Sequence, residues 1–297
     1  MSLLELIRQS RPLLLDGAMG TELARRGCIE GGASNVHSSE TVLAIHQDYA
    51  KCGCRALITN TLTMNRIFIE THGVGVDVEE VNRAGVQLAR RAADDGQFVL
   101  GDMSSTGQML EPYGEFKEED FHTAFLEQAR VLAGEGVDAL LVETMFDLRE
   151  ALCALRACKE VASLPVFVSM AFSTQRNGGR TMMGNSAEKC ARELTNAGAD
   201  AVGANCGEIG PEEMAEIILR MRAVTDLPII AQPNAGKPSL EQGVTRFNLE
   251  PAPFAEGIMK CVYAGATLVG GCCGTSPGHI QAVATRLAEE SNANEPR

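Results

Sequence analysis

Eight short apolar runs recur along the chain, each separated from the next by a stretch whose apolar residues return at helical spacing. They are PLLLD (12–16), RALITN (55–60), FVLGDM (98–103), VDALLVET (137–144), PVFVSMAF (165–172), ADAVGANC (199–206), LPIIAQPN (227–234) and ATLVGGCC (266–273). Each is nearly continuously apolar rather than alternating, as parallel strands covered on both faces are. The stretches between them, such as SSETVLAIHQDYAKCG, EEDFHTAFLEQARVLAGEG and SAEKCARELTNAG, are amphipathic. Several close on a glycine just before the next strand (Gly53, Gly136, Gly198, Gly265), a common helix ending. Gly210-Pro211 and Ser276-Pro277 open others, with proline in the first turn. Eight βα units with no linker between them predict an α/β fold, a (β/α)8 TIM barrel forming a single domain over residues 1–297. A doubly wound open sheet is the alternative. The end of the chain, EESNANEPR, reads as a polar tail from about residue 289.

A barrel fixes where chemistry is to be sought, because its active site lies at the C-terminal ends of the strands. Those ends carry, in order, Asp16, Asn60, Asp102, Glu143, Phe172, Cys206, Asn234 and the pair Cys272–Cys273. Strand ends meet water, which by itself accounts for asparagine and aspartate. It accounts poorly for cysteines, which otherwise prefer burial.

Composition narrows the setting. The formal net charge is −13, with acidic residues scattered over helix faces and no basic stripe, which argues against a nucleic-acid partner. No apolar run approaches the roughly 20 residues that cross a bilayer. The opening MSLLELIRQSRP carries Glu5 within its apolar stretch and has no small-residue cleavage site, so it reads as a short helix rather than a signal. Ten cysteines without a secretion signal imply a cytoplasmic protein with free thiols, in which metal binding or catalysis outranks disulfides.

Cys206 ends the sixth strand and Cys272–Cys273 the eighth, so only the seventh separates them at the rim. Neighbouring residues on a strand point to opposite faces, so two adjacent ligands require a bulge or turn. Gly203, Gly207, Gly270, Gly271 and Gly274 supply the needed conformational freedom. Three thiolates suit Zn²⁺ with one position left open. Such a site is anionic, polarises water poorly, and would instead keep a fourth, substrate sulfur deprotonated and nucleophilic. The remaining cysteines read as structural: Cys52 and Cys54 at a helix end on the opposite face, Cys153, Cys158, Cys190 and Cys261 within helices, and Cys28 in a loop.

Taken together, LLLDGAMGTELARRG, ITNT followed by NR, VETMFDL, GANCG, PNAGKP and GGCCGTSPGHI resemble the homocysteine S-methyltransferase family over residues 13–280. The resemblance implies a (β/α)8 barrel in which Cys206, Cys272 and Cys273 hold Zn²⁺ and the homocysteine sulfur takes the fourth place. It implies that Asp16 and Glu143 grip the substrate ammonium, and the amides of Gly17 and of the Thr61–Leu62 region match the substrate carboxylate. Asn234 joins this substrate-binding set, ordering the rim by hydrogen bonds as Asn205 does beside the first thiol. The expected function is zinc-dependent methyl transfer to homocysteine, giving methionine, with the metal-bound thiolate as nucleophile.

The sequence departs from the family pattern at NVHSSE (35–40), TNTLTMNR (59–66) and GDMSSTG (101–107), all in loops above the rim. These leave open a different small thiol as acceptor, or a non-catalytic zinc-binding or redox-sensing barrel. All eight units are used for the barrel, so the methyl donor is expected from outside: a separate corrinoid carrier protein, or a small sulfonium or betaine. Quaternary ammonium groups favour aromatic cages, and the chain has no Trp and three Tyr, which favours the corrinoid or the sulfonium.

Overall fold

The computed structural model describes residues 3–8, 12–161, 163–241 and 244–293. Ten strands are present among these: β1 (Leu13–Leu14), β2 (Ala56–Ile58), β3 (Phe98–Met103), β4 (Ala139–Met145), β5 (Val166–Met170), β6 (Ala201–Asn205), β7 (Ile229–Gln232), β8 (Ser239–Glu241), β9 (Val244–Arg246) and β10 (Leu268–Val269). β8 and β9 form a separate antiparallel hairpin. The other eight make one parallel sheet in the order β1-β10-β7-β6-β5-β4-β3-β2. Its two edges meet through a parallel bridge between Leu15 and Ala56, with the Arg55 amide donating to the Leu14 carbonyl at 2.7 Å. Sequential order and a joined seam make this a (β/α)8 barrel and exclude the doubly wound sheet.

Twelve helices accompany the strands: α1 (Leu3–Ile7), α2 (Met19–Arg25), α3 (Ser34–His37), α4 (Ser39–Ala50), α5 (Arg66–His72), α6 (Val78–Ala92), α7 (Glu118–Gly134), α8 (Leu148–Val161), α9 (Ala187–Asn196), α10 (Pro211–Arg222), α11 (Pro251–Tyr263) and α12 (Pro277–Ala293). α12 runs through Ala293, so residues 289–293, read from the sequence as the start of a polar tail, continue the helix; residues 294–297 lie outside the described part. Six of the seven cysteines read as structural are buried, and Cys28 is half-buried.

Strand alternation sorts the core into two layers. Leu140, Val142, Val168 and Val202 point outward and pack under the helices. Leu15, Leu100, Leu141, Phe167, Ile230 and Leu268 point inward and fill the barrel, with Leu3 and Ile7 of α1 packed into the same cluster. Each fully buried side chain of this kind contributes roughly 1.5–3 kcal/mol. One step of two residues further along the same strands, the inward positions become Asp102, Glu143, Ser169 and Gln232, all buried. An apolar plug therefore carries a polar layer above it. That polar layer is the floor of the site.

One buried group stands apart. His46 on α4 is fully buried, and neither ring nitrogen has a hydrogen-bond partner among the described residues. Burial lowers its pKa from 6.5 to about 4. Below pH 6.5 the unfolded chain takes up a proton that the folded protein refuses, so stability falls as pH drops through that window, by about 1.4 kcal/mol per pH unit. His46→Leu is expected to match the parent at pH 8 and to gain on it by about 1.4 kcal/mol per pH unit between 6.5 and 4. Parallel urea unfolding curves against pH check this; parallel pH profiles for the two proteins would contradict it.

Candidate active site

The thiol-bearing segments begin where β6 and β10 leave the sheet. Cys206, immediately after β6, adopts φ 53°, a left-handed conformation that re-aims its side chain. Gly207 follows at φ 71°, and a Cβ there would lie 2.2 Å from the Phe172 carbonyl oxygen, so only glycine fits. β10 ends at Val269, and the chain runs on through Gly270, Gly271 and Cys272 before it turns at Cys273–Gly274, where Gly274 adopts φ 83°. The Cys272 amide donates to the Pro233 carbonyl at 2.9 Å, and the Ala235 amide to the Cys273 carbonyl at 2.9 Å. The Thr275 hydroxyl donates to the Cys272 carbonyl at 2.7 Å and accepts from the Ala18 amide at 3.0 Å. This turn lets two neighbouring thiols face the same way.

The sulfurs of Cys206, Cys272 and Cys273 lie within 4.8 Å of one another, the one such grouping of three potential metal ligands among the described residues. Cys206 and Cys273 Sγ are 3.8 Å apart. Hydrogen bonds from Cys206 and Cys272 hold Cys273 as a thiolate, its pKa lowered to about 3. Cys272 is raised in turn by its bonds to Cys206 and Cys273.

These thiols open onto a cavity of about 280 Å³. The loop after β1 (Gly17 to Thr21), the end of β2 with Leu62 and Thr63, Asp102, Glu143, Thr144 and Gln232 complete its wall. Glu143 is buried, and its pKa is pushed up to about 8 by desolvation and by the charge of Cys273. Asp16 lies outside that wall: its Oδ2 accepts from the Ile58 amide at 2.9 Å, tying β1 to β2. Desolvation raises its pKa well above the ordinary range, against that hydrogen bond. Asp16 Oδ1, Asp102 Oδ1 and Glu143 Oε2 are buried with no hydrogen-bond partner among the described residues.

The other expected positions divide. Gly17 lines the cavity, where a Cβ would sit 2.8 Å from Thr275 Oγ1. Thr61 does not line it: its amide donates to the Thr59 carbonyl at 2.9 Å and its hydroxyl to the Asp102 carbonyl at 2.7 Å. Its neighbours Leu62 and Thr63 face the cavity instead. Asn234 also stands behind the wall, donating to the Gly207 carbonyl at 2.8 Å. Asn205 is the stronger brace. Its Oδ1 accepts from the Thr144 amide and from Ser169 Oγ, both at 2.8 Å, and its Nδ2 donates to Thr144 Oγ1 at 2.7 Å. Thr144 needs this support, because φ 58° is a strained conformation for a β-branched residue.

Sequence reasoning named Asp102 as a strand end without assigning it to the site, and passed over Gln232 and Thr144. Two-residue alternation from Leu100 and Ile230 was the signal for the first two. The three divergent loops are held more tightly than their sequences suggest. Asn35 donates to the Asn60 carbonyl, Asn82 to the Met64 carbonyl and Gln128 to the Thr61 carbonyl, at 2.7, 2.8 and 2.8 Å. Buried Glu150 accepts from Ser105 Oγ, Thr106 N and Thr106 Oγ1.

A closed (β/α)8 barrel with convergent thiols and buried carboxylates around one small cavity at its C-terminal rim has the organisation of a barrel enzyme. Residues 13–287 match the sequence profile of Homocysteine S-methyltransferase, and the chain belongs to that family. It is 30% identical over 318 residues to methionine synthase of Mycobacterium leprae, covering 99% of this chain and 26% of that protein. Identity to methionine synthase of Mycobacterium tuberculosis is 30% over 309 residues, covering 96% and 25%. The chain thus spans about a quarter of these relatives. Among solved structures, the metallated homocysteine methyltransferase MmuM from Escherichia coli superposes with a TM-score of 0.78 at 23% identity, covering 95% of this chain and 98% of that one, a likeness of fold.

Gly207→Ala is expected to cost about 1–3 kcal/mol, since the methyl group meets the Phe172 carbonyl and φ is left-handed. Chemical unfolding measures the loss; an unchanged midpoint would show that the thiol-bearing turn is not held by this contact.

Proposed function

We propose that the protein transfers a methyl group to the thiol of homocysteine, yielding methionine, with Zn²⁺ held by Cys206, Cys272 and Cys273. The observation that carries this reading is the convergence of three sulfurs onto a cavity whose wall also holds buried carboxylates. The donor set fits the metal: bonds of about 2.3 Å at tetrahedral angles place neighbouring sulfurs about 3.8 Å apart, and Cys206 and Cys273 stand 3.8 Å apart. When bound, Zn²⁺ supplies an open position for a fourth sulfur and keeps that sulfur deprotonated at neutral pH.

The chain's own residues do the rest. Glu143, facing the cavity, offers its carboxylate to the substrate ammonium, and arrival of that cation favours the ionised form against the desolvation that opposes it. Asp16, anchored by the Ile58 amide, offers a second carboxylate from behind the wall. Asn205 fixes Thr144 and with it the direction of Glu143, while Asn234 holds the Gly207 turn that presents Cys206. The cavity volume of about 280 Å³ suits one small amino acid and leaves little room for bulk water.

The methyl donor on this reading is external. We favour a corrinoid carried by a separate protein that docks over the barrel mouth. The cavity wall holds no aromatic side chain among the described residues, which does not suit a quaternary ammonium such as betaine. No helix among the described residues is long and apolar enough to cross a membrane, and we place the protein in the cytoplasm.

Purified protein is expected to contain about one Zn²⁺ per chain, and Cys206→Ser or a Cys272→Ser/Cys273→Ser double variant to lose it, as read by elemental analysis. Full occupancy in the double variant would refute the ligand assignment. Glu143→Gln is expected to keep the metal and weaken homocysteine binding by about 1.5–3 kcal/mol by calorimetry; equal weakening of 2-mercaptoethanesulfonate, which has no amine, would give the residue a structural role. Offering methylcobalamin, S-methylmethionine, S-adenosylmethionine and glycine betaine in parallel identifies the donor. Rapid turnover with glycine betaine would overturn the corrinoid reading, and no saturable homocysteine binding would favour a zinc-binding or redox-sensing barrel.

A further inference from the structure

Asp102 is placed with more care than a bystander needs. It lies at the inward-facing position of β3 two residues beyond Leu100, lines the cavity, and is 3% exposed. Its backbone is clamped on both sides by buried hydroxyls: its amide donates to Thr59 Oγ1 at 2.9 Å and its carbonyl accepts from Thr61 Oγ1 at 2.7 Å. Those two hydroxyls are themselves 2.6 Å apart. Yet Asp102 Oδ1, held so firmly, has no partner among the described residues. An unpartnered buried oxygen on a clamped strand, in a residue that lines a ligand-sized cavity, is a binding group lacking its ligand.

Barrel order says which end of the ligand it meets. β3 stands opposite β7, and the two thiol-bearing strands, β6 and β10, flank β7. A substrate whose sulfur lies against the thiols therefore extends its amino-acid head towards β3. That head carries one ammonium and one carboxylate. Glu143 in the wall and Asp16 behind it already offer two carboxylates for the one ammonium. An ionised Asp102 beside them would repel the substrate's own carboxylate. Protonated, the same group becomes a hydrogen-bond donor to that carboxylate.

We propose that Asp102 is held as the neutral acid and donates a hydrogen bond to the carboxylate of the bound amino acid, making it a determinant of specificity for α-amino-acid thiols. The proposal rests on the homocysteine reading above. Burial, with Glu143 and Asp16 adding to it, raises the Asp102 pKa well above the ordinary carboxylate range, against the opposing Met103 amide.

The test compares zinc-loaded wild type, Asp102→Asn and Asp102→Ala in calorimetric binding of L-homocysteine and of 3-aminopropane-1-thiol, which keeps thiol and amine but has no carboxylate. Asp102→Ala is expected to weaken homocysteine about tenfold and to leave the aminothiol within about twofold, while Asp102→Asn, still a neutral donor of the same shape, holds homocysteine near the wild-type affinity. Asp102→Asn falling as far as Asp102→Ala would overturn the proposal, showing an ionised group paired with the ammonium. So would equal losses for both ligands in Asp102→Ala. Wild type that binds the aminothiol but not homocysteine would overturn the homocysteine reading and this proposal with it, whereas the variant patterns overturn this proposal alone.

Discussion

Concentrated negative charge in a poorly solvated place is the constraint around which the rim is organised. Asp16, Asp102, Glu143 and three thiols sit above a plug of leucine, isoleucine and phenylalanine, where desolvation disfavours every anion. A folded protein tolerates this in few ways, and several are visible here. Asp16 takes a backbone amide. Cys273 takes hydrogen bonds from its two thiol neighbours. Glu143 is pushed towards the neutral form. What is left over, the convergent sulfurs and the unpartnered oxygens of Glu143 and Asp16, is a demand for positive charge. A cation or a metal answers it, which is why an anionic pocket of this kind reads as a binding site rather than as a defect.

Holding repelling groups together requires rigid surroundings, and buried amides supply them. Asn234, Asn35, Asn82 and Gln128 each donate to backbone carbonyls of loops beyond the strand ends, and Asn205 donates to the Thr144 hydroxyl within β4. Glu150 does the converse for the loop after β3, accepting three hydrogen bonds. Loops that would otherwise be mobile thus become extensions of the barrel. The strained backbones of Thr144 and Cys206 are affordable only in such a frame.

Much of this was legible in the chain. Eight continuous apolar runs separated by amphipathic stretches named the barrel, because parallel strands buried on both faces leave that trace. The thiols at 206, 272 and 273 could be brought together on paper, since they follow neighbouring strands on a known ring. Finer placement was not legible. Thr61 and Asp16 lie close to the cavity in sequence terms, yet each is turned to a neighbouring strand or loop by a hydrogen bond that no spacing rule encodes. Strand ends were also overrun: β10 stops at Val269, and Gly270, Gly271 and Cys272 continue with single hydrogen bonds to the carbonyls of Ala231, Asp16 and Pro233 before the chain turns at Cys273–Gly274. The chain from about residue 289 reads in sequence as a polar tail, although α12 carries it as helix through Ala293.

The seam between β1 and β2 carries one consequence for how this rim can change over time. It is short, with a bridge at Leu15 and Ala56 extended by a side chain, Asp16, reaching the Ile58 amide. Position 16 therefore answers to two selective demands, closing the barrel and setting the potential of the pocket. Glu143 and Asp102 lie on strands paired by backbone ladders on both sides and carry no such duty. Divergence towards other substrate heads has a cheap route through positions 102 and 143 and an expensive one through 16, so the residue at the seam should drift least among the three carboxylates.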